Sequence, residues 1–266
     1  MGYNCLKNEV MAMDVIIFAG QSNMVGVTES MPKDNEPVSG AREYRYRDNS
    51  FVPLSHPVGE DLFDMAIQGS ASGFGSLVPA FCREYIARTG KDVIAIHTAK
   101  GGSNLSQWLQ GSLTFYAAKT KITAALKKIR EEYEIDRLYF VWLQGESDAL
   151  CRNTKEEYKA RLVYFKDTLK KMIGIDKFAL IRVGYFAKTA SWMVGTPEEK
   201  MKCDEVIMEA QDEIVTEDPD FVMLTGICKE LSLDKSNFNT SDIGHYNNAS
   251  MEIIGSEAAK TLADLR

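Results

Sequence analysis

The chain has 266 residues, 45% of them hydrophobic, which suits one large α/β domain with a filled core. It carries 31 basic and 38 acidic residues, a net charge of −7, and no Lys/Arg block longer than a pair, which argues against a nucleic-acid surface. Its cysteines (Cys5, Cys82, Cys151, Cys203, Cys228) are odd in number, widely spaced and free of any CxxC, which argues against a disulfide framework or a zinc site and for a reducing compartment.

The first apolar run, Val15–Phe18, is too short for a signal-peptide core, and Glu9 and Asp14 precede it. No stretch approaches the roughly 18 apolar residues of a membrane span. A cytoplasmic protein without a membrane partner is therefore expected. The run reads as a buried strand that stops at "GQSNM", residues 20–24, where Gln21, Ser22 and Asn23 stand.

From Val27 to Gly75 the chain is rich in Pro, Gly, Ser and charge. The best local structure there is a hairpin, "EYRYRDNSFVPL", turning at Asp48-Asn49. An insert directly after the first strand would lie over the carboxyl edge of a sheet, where open α/β sheets hold their ligands. His56, in "LSHPVG", would rim a pocket there or, before Pro57, occupy a turn.

A helical pattern at Leu77–Arg88 precedes a strand at Val93–Ile96, followed by "HTAKGGSNLSQW". His97, ending the strand, reads as a hydrogen-bonded core residue. "GGSN" lacks the spacing of a phosphate loop, and Lys100 lies on its wrong side. Next come a helix at Leu113–Tyr133 and a strand at Leu138–Leu143. That strand runs into "WLQGESDA", with Gln144, Glu146 and Asp148. A helix at Tyr158–Ile173, a strand at Phe178–Val183, a helix at Pro197–Ile214 and a strand at Phe221–Leu224 follow. "SDIGHYN", with Asp242 and His245, precedes a last helix at Ala249–Leu265.

The five apolar runs are continuous rather than alternating, as in a parallel sheet covered on both faces. Strand alternating with helix is the βαβ signature. We read one doubly wound, three-layer αβα domain over residues 1–266, with residues 27–75 as its insert. Such a sheet brings the polar segments after its strands to one edge.

A serine hydroxyl is a weak nucleophile without a base. Among the three histidines, His245 has Asp242 three residues before it, and residues so spaced on a turn are neighbours. A carboxylate on Nδ1 would leave Nε2 to take the proton of Ser22. Alone, Asp-x-x-His would be a helix start with an aspartate cap. An acyl-transfer serine also needs oxyanion donors. The Ser22 N–H, an N–H from Gly101 or Gly102, and the Gln144 side-chain amide are available. Glu146 and Asp148, so near a developing negative charge, read as supports for the loops.

With these residues in place, the sequence resembles the SGNH hydrolase superfamily, in its branch of carbohydrate acetylesterases that includes sialate O-acetylesterase and acetylxylan-esterase-like proteins. "GQSNM", "PLSHP" at 53–57, "GGSNLSQW", "QGESDA" and "DIGH" carry the resemblance. It implies a flavodoxin-like α/β fold with a five-stranded parallel sheet. It implies Ser22 as nucleophile, His245 as base and Asp242 as its orienting acid. The oxyanion hole would be formed by Ser22, one of Gly101 and Gly102, and Gln144, which stands where the wider superfamily has asparagine. Gln21, Asn23, Glu146 and Asp148 would back the site. No metal or cofactor is implied. The expected substrate is an O-acetylated sugar of sialic acid or xylo-oligosaccharide type. Trp192, in the polar loop "AKTASWMVG", would stack on that sugar, whereas Tyr44, Tyr46 and Trp108 lie in apolar or patterned runs. The rival readings are a thioesterase or lipase of the same fold and a catalytically silent carbohydrate-binding protein.

Overall fold

The computed structural model describes residues 11–70 and 74–266, so Cys5 and positions 71–73 of the insert lie outside the described residues. Strand β1 (Ala12–Gly20) leads directly into the one-turn helix α1 (Ser22–Val25). The hairpin β2 (Ala41–Arg45) and β3 (Ser50–Pro53) follows. Then come α2 (Val78–Thr89), β4 (Val93–Ala99), α3 (Leu113–Glu132), β5 (Glu134–Leu143) and the short α4 (Glu146–Leu150). The chain continues through α5 (Lys155–Ile173), β6 (Lys177–Ile181), α6 (Pro197–Glu217), β7 (Phe221–Thr225), the short α7 (Ile227–Leu231) and α8 (Asn248–Asp264).

Local chemistry sets these limits. Thr154 with Glu157 and Thr196 with Glu199 form capping boxes that open α5 and α6, each satisfying N–H groups the helix itself cannot. Gly90 ends α2 in the left-handed conformation that disfavours a side chain.

The strands form one sheet in the order β3-β2-β4-β1-β5-β6-β7. The inner five, β4-β1-β5-β6-β7, pair in parallel and correspond to the five apolar runs. Their order is the flavodoxin-like one, with its switch point between β1 and β5. Val15, Ile16, Ile17 and Phe18 are fully buried, which places β1 at the centre of the core. Right-handed crossovers put α2 and α8 on one face and α3, α5 and α6 on the other. Consistent with this, α2 packs on α8 and α5 on α6.

The five-stranded expectation is corrected: the sheet has seven strands and is mixed. The insert hairpin is not an isolated ribbon. β2 pairs in parallel with β4 (Ala41 with Val93, Glu43 with Ala95), and β3 closes the edge antiparallel to β2. Hydropathy conceals β2 because its buried positions include Glu43 at 0% exposure. That carboxylate is compensated. Arg45 lies 2.9 Å away and the Gly59 N–H donates to it at 2.8 Å. Burial, the largest influence, still pushes its pKa above the ordinary carboxylate value. A second ion pair, Lys121 to Glu60 at 3.1 Å, ties α3 to the insert, with Lys121 fully buried.

No helix among the described residues is long and apolar enough to cross a membrane.

Candidate active site

The site forms where β1 and β5 end side by side. Gly20 makes this approach possible. A Cβ there would lie 2.0 Å from the Leu143 carbonyl oxygen, and its φ of +147° disfavours any side chain. The next residue bonds across, Gln21 N–H to Leu143 O at 3.0 Å. Ser22 therefore opens α1 at the carboxyl edge of the sheet. Its N–H, the first of the helix, has no intrahelical partner.

His245 reaches Ser22 from the far end of the chain, with Nε2 2.8 Å from Oγ. Asp242 Oδ2 stands 3.0 Å from His245 Nδ1. It lies out of line with the ring N–H, so no aligned hydrogen bond forms in this resting geometry. Such contacts often align only once substrate is bound. The carboxylate favours the Nδ1–H tautomer, which leaves Nε2 to accept from the serine; the proton position is assigned from these contacts. The Asp242 side chain is 55% exposed and that of His245 13%, so the acid faces solvent and the imidazole faces the serine.

Gly244 lets the histidine loop close onto its neighbour. A Cβ there would lie 2.8 Å from Thr189 Oγ1 and 2.9 Å from the Phe186 ring. The Phe186 ring then meets the imidazole edge-on at 5.6 Å. Phe186 is a site residue that sequence reasoning missed, because nothing local marks the segment after β6 as a wall of this cleft.

The polar residues around Ser22 form a hydrogen-bonded network in which Glu146 Oε2 has no partner among the described residues. Asn23 Nδ2 donates to Glu146 Oε1 at 2.8 Å, and Asn23 Oδ1 accepts the Tyr246 N–H at 3.3 Å. Asn23 therefore joins α1 to α4 and to the residue after the histidine. Gln21 Oε1 accepts the Ser147 N–H at 3.0 Å at the start of α4. Asp148 accepts from Leu105 N at 2.8 Å and from Asn153 Nδ2 at 2.6 Å, tying the glycine loop to β5. Burial raises the pKa of both Glu146 and Asp148, and hydrogen bonds counter it.

Two of the expected oxyanion donors face other acceptors in this resting geometry. Gln144 is fully buried, and its amide nitrogen faces Asp148 Oδ2 at 2.5 Å, Ser103 O at 3.1 Å and Gln21 Oε1 at 3.3 Å. An NH₂ has two hydrogens, so nothing remains for an oxyanion. The Gly101 N–H is also taken, donating to Gln68 Oε1 at 2.7 Å. Gly102, at φ +66°, has an N–H with no acceptor among the described residues. Gln68 was missed by sequence reasoning; as an uncharged residue inside the insert it carries no motif.

His56 is not brought to Ser22 by any contact. Its Nδ1 accepts the Ser76 N–H at 3.2 Å, and burial, the largest cause, lowers its pKa to about 4. It lines a groove with Met31, Lys33, Asn248 and Met251 that includes none of Ser22, Asp242 and His245. His56 therefore lies in a groove apart from the Ser22–His245 contact. His97 is the core residue expected: its Nε2 lies 3.0 Å from Met24 O under α1, and burial lowers its pKa to about 3. Tyr44 and Trp108 are fully buried. Trp192 is 71% exposed, on a loop held by Arg152, whose Nη2 donates to Val194 O at 2.7 Å. Among the described residues no group of three His, Cys, Asp or Glu is arranged to hold a metal.

No curated protein matches the sequence. An Arabidopsis thaliana protein of known structure superposes with a TM-score of 0.70 at 16% identity, covering 95% of this chain and 99% of that one. NanS superposes with a TM-score of 0.67 at 13% identity, covering 97% and 98%. A carbohydrate acetylesterase from Xanthomonas citri superposes at 0.58 and 15% identity, covering 95% of this chain and 57% of that one. At such identities the likeness is one of fold. The family of carbohydrate esterases described as sialic acid-specific acetylesterases matches residues 12–264. The chain belongs to that family and is a carboxylic ester hydrolase.

Proposed function

We propose that the protein removes O-acetyl groups from a carbohydrate through a covalent acetyl-enzyme, in one hydrolase domain whose insert borders the site. The observation that supports this reading is the 2.8 Å contact of Ser22 Oγ with His245 Nε2, with Asp242 behind the imidazole. Ser22 Oγ attacks the acetyl carbonyl while His245 Nε2 takes its proton. The tetrahedral oxyanion lies against the Ser22 N–H and the Gly102 N–H. As it collapses, the sugar oxygen leaves with the proton from His245. Water then attacks the acetyl-enzyme by the same route, releasing acetate and restoring the Ser22 hydroxyl. Asp242 stabilises the imidazolium that forms in each half.

The family and the name of the Xanthomonas citri neighbour support an acetylated sugar as substrate. Within that class we infer a sialic acid or xylo-oligosaccharide ester, with Trp192 as the exposed aromatic face for the ring. Acetate release from a panel of O-acetylated sugars tests the reading. Parallel hydrolysis of 4-nitrophenyl acetate, butyrate and octanoate separates it from its rivals. Preference for the octanoate ester, or no turnover at all, would overturn it.

A further inference from the structure

One peptide unit joins His245 to Tyr246, and both of its polar groups are held. The His245 carbonyl oxygen accepts the Asn239 N–H at 2.7 Å. The Tyr246 N–H donates to Asn23 Oδ1 at 3.3 Å. A peptide unit is planar, so a grip on its C=O and its N–H together stops it from turning. The root of the imidazole is held with it.

Both grips come from the segment that carries the nucleophile. Asn23 follows Ser22 in α1. Asn239 is bonded just beyond that helix, donating from Nδ2 to Val27 O at 3.2 Å. Asn23 is 1% exposed, and Asn239 and Tyr246 are each 3% exposed, so water does not compete for these bonds.

Glu146 decides which way the Asn23 amide faces. Asn23 Nδ2 donates to Glu146 Oε1 at 2.8 Å. A carboxyl oxygen there draws the NH₂ side, which leaves Oδ1 toward the Tyr246 N–H. Turned over, the amide would set donor against donor at Tyr246 and acceptor against acceptor at Glu146. Glu146 is buried, and its Oε2 has no partner among the described residues. A buried carboxyl so sparsely bonded costs stability, and the orientation of Asn23 gives it a use.

Resting on the esterase reading above, we infer that Asn23 is a positioning residue that holds the His245–Tyr246 peptide in register with Ser22, and that Glu146 acts through it by fixing its amide. The helix that displays the nucleophile thereby also sets the distance to its base.

The test uses wild type, Asn23→Ala, Glu146→Met, Glu146→Gln and the double variant Asn23→Ala/Glu146→Met. It measures the rate at which a fluorophosphonate labels Ser22, and kcat and KM on 4-nitrophenyl acetate per site titrated to completion with the same reagent. Asn23→Ala is expected to lower kcat and the labelling rate about 10²-fold, with KM within about threefold, the order of loss that follows a ~1 Å misplacement. Glu146→Met removes the anchor without touching α1 and is expected to lower both rates by about tenfold or more. Glu146→Gln keeps a carbonyl oxygen for Asn23 Nδ2 and is expected to recover most of that loss. The double variant is expected to be no slower than Asn23→Ala, because without the amide Glu146 has nothing to orient. An Asn23→Ala enzyme within about threefold of wild type per titrated site, whatever its urea midpoint, would overturn the inference. So would losses that multiply in the double variant, or a Glu146→Gln enzyme as slow as Glu146→Met. Failure of the underlying esterase reading shows separately, as a wild type that cleaves no acetyl ester or a Ser22→Ala variant that does.

Discussion

Gln144 Nε2 lies 2.5 Å from Asp148 Oδ2, and Asp148 in turn holds the Leu105 N–H at 2.8 Å. The glutamine is thus the first link of a chain that ties the end of β5 to the glycine loop. Removing it leaves a buried carboxylate short of a donor. Gln144→Ala should therefore destabilise the fold by about 1–3 kcal/mol, the usual penalty for an unsatisfied buried polar group. Its kcat per titrated site should fall by less than about tenfold, short of the ~10²–10³ lost with an oxyanion donor. Urea unfolding alongside active-site titration measures both quantities. A stable variant with a kcat reduced about a thousandfold would return Gln144 to the mechanism.

Ser22→Ala should abolish ester hydrolysis and leave the urea midpoint nearly unchanged, since the Ser22 hydroxyl has one side-chain partner, His245. A fluorophosphonate should label Ser22 alone. Ser103 Oγ donates to Lys100 O and accepts from Trp108 Nε1, and no histidine bonds it. Peptide mapping that placed the adduct on Ser103 or Ser147 would refute the assignment.

Asp204 accepts the Ala187 N–H with both carboxylate oxygens, at 3.2 and 2.9 Å, and is fully buried. Ala187 follows Phe186, which rests against His245. Burial, the largest influence, raises the Asp204 pKa from 3.8 to about 8. Because the folded-state pKa is the higher one, the folded protein binds a proton that the unfolded chain releases. This contribution to stability is complete below 3.8 and is lost as pH rises through about 8. Asp204→Asn keeps an oxygen for the Ala187 N–H and removes the titration. Relative to wild type, it should gain stability across that interval, by an amount on the order of a few kcal/mol. Urea midpoints at several pH values check the sign. A wild type that gains on the variant as pH rises would show that Asp204 is bound as a stabilised anion.

Trp192→Ala should raise KM for an acetylated oligosaccharide about tenfold, the loss of about 1.4 kcal/mol of ring stacking. It should leave kinetics on 4-nitrophenyl acetate unchanged, since that substrate carries no sugar. Equal effects on both substrates would show that the exposed loop positions the catalytic residues instead.

The sequence by itself determined the inner sheet. Val15–Phe18, Val93–Ile96, Leu138–Leu143, Phe178–Val183 and Phe221–Leu224 are apolar on both faces, and only a covered parallel sheet buries them all. It also determined which residues to watch, because chemistry-bearing side chains stand directly after those strands and Asp242 is spaced to meet His245. What it did not determine is partnership. β2 reads as polar because Glu43 is buried against Arg45 and Gly59, residues whose proximity exists only after folding. The same holds for the oxyanion donors. In the sequence, Gln144 and Gly101 each have a free N–H; in the fold, Asp148 and Gln68 have claimed them. Residue type and spacing specify what a group is able to donate. Whether that donor remains free depends on which acceptors the fold sets beside it: Ser103 O, 41 residues away, for Gln144 and Gln68 Oε1, 33 residues away, for Gly101, and only the tertiary structure brings such distant groups within hydrogen-bond reach.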